Sequence, residues 1–111
     1  MLFEITLDEI KIQEALGTLS NASFYEELYH LEDIEILKFV GLESKDYTLR
    51  RAVATNMHTP YSILRQMYKY DLDYYVREIA WGRVVARYER RFGSPAPLHI
   101  RRKIFISNFS L

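Results

Sequence analysis

Apolar positions along the chain recur with a helical period, and over residues 36–77 the pattern is written twice. Ile36-Leu37-Lys38 is followed by Val40 and then by Asp46-Tyr47-Thr48-Leu49-Arg50. Ile63-Leu64-Arg65 is followed by Met67 and then by Asp73-Tyr74-Tyr75-Val76-Arg77. Every pair stands 27 residues apart, with Ile, Leu, Asp, Tyr and Arg identical. A fixed period of this size marks stacked helical repeats. Ile63, Leu64 and Met67 fall on one stripe of a helix about three turns long. Thr59-Pro60 reads as an N-cap followed by proline at the first helical position, where its missing N–H costs nothing. Asp33 takes the place of Pro60 in the earlier copy, and a carboxylate suits a helix N-terminus.

The remaining elements follow from caps and breakers. Phe3 to Leu7 alternates like a short strand, but Thr6-Leu7-Asp8-Glu9 is a capping box. The helix reading is preferred from about Leu7 to Leu16, with Ile10 and Ala15 inward and Gly17 ending it. Ser23-Phe24-Tyr25-Glu26 is a second capping box, opening a helix to about Leu31. Further helices are expected near 33–42, 47–55, 60–70 and 73–82. After Trp81 the apolar stripe moves to Val85, Tyr88 and Phe92, and Gly82 at the switch predicts a break or kink. Gly93 to Pro97 is a loop, and a last helix is expected from about Leu98 to Ser107. The expected fold class is all-α: a short helical-repeat domain of about six helices. The whole chain, 1–111, is one domain, with repeat units at 33–56 and 60–83 and a degenerate unit near 84–108.

Leu49-Arg50-Arg51-Ala52-Val53-Ala54-Thr55-Asn56, then Thr59-Pro60, Ile63-Leu64, Asp71, Asp73 and Val76-Arg77, resembles the variant leucine-rich repeat. It is similar also to HEAT-type repeats, which share an Asp followed by Val-Arg on the second helix. The resemblance covers roughly 33–83 and departs in its 27-residue period and its lack of cysteines. The resemblance implies a right-handed helical superhelix that serves as a scaffold for binding.

Composition narrows the class. Apolar residues make up 49% and charged residues 27%, as in an ordinary soluble globular domain. With no cysteine, disulfides and iron–sulfur clusters are excluded and a cytoplasmic home is favoured. Neither a signal peptide nor a membrane span is expected. The net charge of zero conceals a polarity: residues 1–45 hold ten acids and three bases, whereas 46–111 hold five acids and twelve bases. Such asymmetry points to a charged partner or to head-to-tail self-association.

Candidate chemistry is sparse. Glu27-x-x-His30 is half of a di-iron motif without its other half. No nucleophile elbow or phosphate loop is written, so neither an enzyme nor a cofactor or metal is expected. Asp46 with Arg50, and Asp73 with Arg77, stand at i,i+4 in the favourable order and are expected as structural ion pairs. Arg83, Arg87, Arg90 and Arg91 share one helix face, and Arg101, Arg102 and Lys103 add a second basic patch. Tyr61 and Tyr68 stand beside them. Arginine with interleaved aromatics grips phosphates and stacks bases, and equally builds protein interfaces. The acidic cluster Glu26, Glu27, Glu32, Asp33 and Glu35 could complement a basic partner, but such a run is ordinarily the wet face of a helix. The expected function is protein binding by a small adaptor or inhibitor, in size and style suited to a phage or bacterial accessory or anti-defence protein. Nucleic-acid binding through the same arginines is the second reading.

Overall fold

The computed structural model describes residues 5–93, which form six helices: α1 (Leu7–Leu16), α2 (Ala22–Leu28), α3 (Ile34–Glu43), α4 (Tyr47–Thr55), α5 (Tyr61–Tyr70) and α6 (Tyr74–Phe92). No strand occurs among the described residues. The expected last helix over 98–107, and with it Arg101, Arg102 and Lys103, lies outside them.

The helices stack as pairs. α3 packs on α4 and α5 on α6, while α3 also touches α1 and α5, and α4 touches α2 and α6. α1, α3 and α5 therefore form one layer and α2, α4 and α6 the other. α1, α3 and α5 each have ten residues and begin at 7, 34 and 61, so the 27-residue offset extends to the N-terminal helix. Ile10, Leu37 and Leu64 stand at the fourth position of these helices and are fully buried. The second layer contributes Phe24, Leu28, Leu49, Val53, Val76, Ala80 and Val84 to the same core.

The caps explain where each helix starts. Thr6 Oγ1 accepts from Glu9 N, and Asp33 Oδ1 accepts from Ile36 N. Gly17 closes α1 at φ 73°, the left-handed conformation that glycine adopts without a Cβ penalty. Two caps differ from expectation. Asn21, not Ser23, caps α2 by accepting from Phe24 N, because the chain becomes helical two residues earlier than the capping box suggests. Pro60 itself takes the N-cap place of α5 in extended conformation. Thr59 is drawn into the core, where its hydroxyl donates to the Val53 carbonyl at 2.6 Å. Ala15 is exposed, since only Ile10 of α1 faces fully inward.

The expected break at Gly82 does not occur. α6 runs unbroken through it, because the buried stripe continues as Val76, Ala80 and Val84 at i, i+4 and i+8. Trp81 and Val85 flank that stripe rather than replacing it. A lone helical glycine costs about 1 kcal/mol against alanine, which this packing outweighs. Residues 84–92, expected to open a degenerate unit, therefore complete α6. With 19 residues against nine in α4, α6 overhangs its neighbour, and the overhang carries the arginines.

Candidate functional site

The arginines of α6 surround the loop between α4 and α5. Arg83 Nη1 donates to the carbonyl of Thr55, the last residue of α4, and Arg87 Nη2 donates to the carbonyl of Met57 at 2.9 Å. A helix C-terminus leaves carbonyls without intrahelical donors, so a guanidinium there supplies both a hydrogen bond and a favourable charge. Arg83 and Arg87 are half-buried in consequence, whereas Arg90 and Arg91 are exposed. The sequence places all four on one solvated face; the structure gives two of them a second, structural duty.

Together with Met57 and Ala86, the four arginines line a cavity of about 500 Å³. A neighbouring cavity of about 410 Å³ is lined by Tyr61, Arg87, Tyr88, Arg91 and Phe92, so the two share Arg87 and Arg91. Among the described residues no carboxylate lines either. Burial holds the Arg83 guanidinium below the ordinary arginine value, and repulsion from Arg90 adds to it. Arg87 is lowered by burial and then by Arg83 and Arg90. Arginine stays protonated regardless, so the crowding is stored as unfavourable electrostatics that an anion would relieve.

The aromatic side of the face is partly as expected. Tyr61 is exposed and lies under the Arg65 guanidinium, 5.8 Å from its ring centroid. Tyr88 and Phe92 face each other with centroids 4.5 Å apart. Tyr68 is not a surface residue: it is 6% exposed and belongs to the core, because it follows Met67 on the inward side of α5. A second arginine–aromatic group was not anticipated. Arg51 lies over both Tyr47 and Tyr75, at 5.1 and 5.3 Å. The tyrosines of α4 and α6 bracket it across the layer, a contact that no single-helix spacing reveals.

The expected i,i+4 ion pairs are replaced by a different ladder. Asp46 and Asp73 are N-caps, accepting from Thr48 N and Val76 N at 2.9 and 3.0 Å, which turns them away from Arg50 and Arg77. Asp46 also accepts from the hydroxyls of Ser20 and Thr48. Arg50 instead grips Asp71 of the following unit through Nε and Nη2, at 2.9 and 3.3 Å, and donates from Nη1 to Ser44 O. Arg77 donates from Nη1 to Asp71 O. The Asp71 side chain is buried and holds two units together.

The acidic cluster is mostly solvated, with Glu26, Glu32, Asp33 and Glu35 exposed. Glu32 reaches His58 at 3.5 Å, next to Met57 on the rim of the arginine cavity. No group of three metal-ligating side chains occurs among the described residues, and none of their helices is long and apolar enough to cross a membrane. Compared with models of protein families, with curated proteins and with solved structures, the chain matches none.

Proposed function

We propose that this chain is a non-catalytic helical-repeat scaffold of the variant leucine-rich or HEAT kind. It acts as an adaptor or inhibitor by gripping an acidic surface on a protein partner. The observation that carries the reading is the grouping of Arg83, Arg87, Arg90 and Arg91 around one cavity that no carboxylate among the described residues lines. Like charges repel within about a Debye length, so such a cluster is unfavourable until an anion enters it. The aromatic cavity alongside adds the tyrosine and phenylalanine surface in which interfaces concentrate their binding energy. A protein is favoured over nucleic acid because the chain as a whole is neutral. The acidic half would repel a long polyanion, while a local acidic patch meets only the basic face.

Affinity capture from the native cells tests this, with the parent chain and with Arg90→Glu/Arg91→Glu compared side by side. A protein retained by the parent after nuclease digestion, and lost by the variant, supports the reading. A complex that nuclease abolishes replaces it with nucleic-acid binding.

A further inference from the structure

Two cavities that share their arginines constrain the shape of the partner as well as its charge. Arg87 and Arg91 line both the arginine-rich cavity and the aromatic one. Whatever sits in the aromatic cavity is therefore flanked by cations. Three aromatic side chains and two arginines line it, with Tyr61 and Phe92 exposed at 42% and 57%. Aromatic side chains grouped beside arginines are the residue types in which interfaces concentrate their binding energy. The cavity volume of about 410 Å³ lies in the range of small-molecule sites, so an aromatic side chain has room to enter it.

Spacing along α6 sets the rest. Residues four apart on a helix are separated by about 6 Å along its axis. An extended peptide advances about 3.3 Å per residue. A side chain seated between Arg87 and Arg91 thus has its second neighbours, about 6–7 Å away, within reach of guanidinium groups on either side. Carboxylate and guanidinium pair bidentately, which gives such contacts direction as well as charge.

We propose that the arginine face receives an extended acidic segment anchored by one aromatic side chain. The ring enters the cavity of Tyr61, Tyr88 and Phe92, and carboxylates about two residues to either side meet Arg87 and Arg91, with Arg83 and Arg90 lining the adjoining cavity. The inference rests on the acidic-partner reading above and adds the anchor. A phenylalanine, tyrosine or tryptophan fills an apolar cavity with few rotors to immobilise, and desolvation by the surrounding residues strengthens the ion pairs at its rim.

The test uses the full chain and a fluorescein-labelled peptide, Glu-Asp-Ser-Phe-Ser-Asp-Glu, with anisotropy as the readout. A control peptide carries alanine in place of the central phenylalanine. The phenylalanine peptide should bind about tenfold more tightly than the control, and Phe92→Ala should remove that difference while leaving the control unchanged. Arg90→Glu/Arg91→Glu should weaken both peptides by more than about tenfold. Equal binding of the two peptides to the parent overturns the aromatic anchor and leaves the acidic-partner reading standing. Binding of neither peptide overturns both. A single-stranded oligonucleotide that binds more tightly than the phenylalanine peptide in the same buffer also overturns both, in favour of nucleic acid.

Discussion

Arg50 and Arg77 make the same hydrogen bond one period apart: Nη1 donates at 2.7 Å to the carbonyl six residues back, Ser44 in one case and Asp71 in the other. The rest of each guanidinium differs. Arg50 closes its fork on Asp71, whereas Arg77 Nε is buried without a partner. The following unit supplies Asp71 to Arg50, and the residue 27 positions beyond Asp71 is Leu98, which has no carboxylate to offer Arg77. Arg50→Met leaves Asp71 as an uncompensated buried charge and should cost about 3–5 kcal/mol. Arg77→Met removes one charge-assisted hydrogen bond and should cost less, about 1.5–3 kcal/mol. Urea unfolding of the two variants measures the difference, and equal losses would remove Asp71 from the account.

Two glycines should respond to alanine with opposite signs. A Cβ on Gly41 would meet Val53 Cγ1 at 2.8 Å and Met67 Sδ at 3.5 Å, inside the contact between α3, α4 and α5. Overpacking of that kind costs about 1–3 kcal/mol, and Val53→Ala made together with Gly41→Ala should recover part of it. A Cβ on Gly82 would meet nothing within 4 Å. Gly82→Ala should therefore stabilise the protein by about 0.5–1 kcal/mol through helix propensity alone. Destabilisation by Gly82→Ala, seen in thermal unfolding, would mean that α6 bends there after all.

Asp46 should shape the acid limb of stability. Burial pushes its carboxyl up, but hydrogen bonds from Ser20, from Thr48 and from the backbone N–H groups of Thr48 and Leu49 outweigh this and hold it below the ordinary value of 3.8. A lowered folded value means that the unfolded chain binds the proton first as pH falls. The contribution is therefore fully present above 3.8 and is lost as pH drops through the folded value. Asp46→Asn keeps an acceptor for the cap but cannot titrate. Its unfolding free energy should fall less steeply than the parent's between about pH 5 and pH 2. Parallel profiles would exclude Asp46 as a source of the acid sensitivity.

How much of this was legible depended on whether the signal lay in side-chain spacing or in backbone partners. The 27-residue pattern from Ile36 to Arg77 was readable because buried positions and caps both repeat. α1 begins 27 residues before α3, yet its membership was hidden. Glu9 and Gln13 stand where Ile36 and Val40 do, so Ile10 is the surviving apolar match on that face. The loop after α1 is also two residues longer, which puts Asn21, Phe24 and Leu28 only 25 residues before Asp46, Leu49 and Val53. The roles of Asn56 and Thr59 were visible only as motif letters. In the structure Asn56 Nδ2 donates to Leu28 O and Leu31 O at 2.7 and 2.8 Å, tying the end of α2 to the α4–α5 loop. At the candidate site the shared face of the four arginines followed from helical periodicity. That Arg83 and Arg87 also hold loop carbonyls did not, because a backbone acceptor leaves no mark in the sequence.

That double duty separates the arginine face into two pairs. Arg90 and Arg91 are exposed and line the arginine-rich cavity. Arg90→Glu/Arg91→Glu should shift stability by less than about 0.5 kcal/mol, as exposed substitutions do, while reversing the charge that a partner meets. Arg83→Ala instead removes the donor at the C-terminus of α4 and should cost about 1–2 kcal/mol, while relieving repulsion among its neighbours. Arg87→Ala should resemble it, through the lost bond to Met57 O. The outcomes are read by pairing thermal unfolding with partner binding on the same four preparations, the parent and the three variants. The Arg90/Arg91 variant should lose binding at unchanged stability, whereas the Arg83 and Arg87 variants should lose stability first. If Arg90→Glu/Arg91→Glu binds the partner as well as the parent does, the face is only a solvated surface, and the contact moves to the group of Arg51, Tyr47 and Tyr75 between α4 and α6.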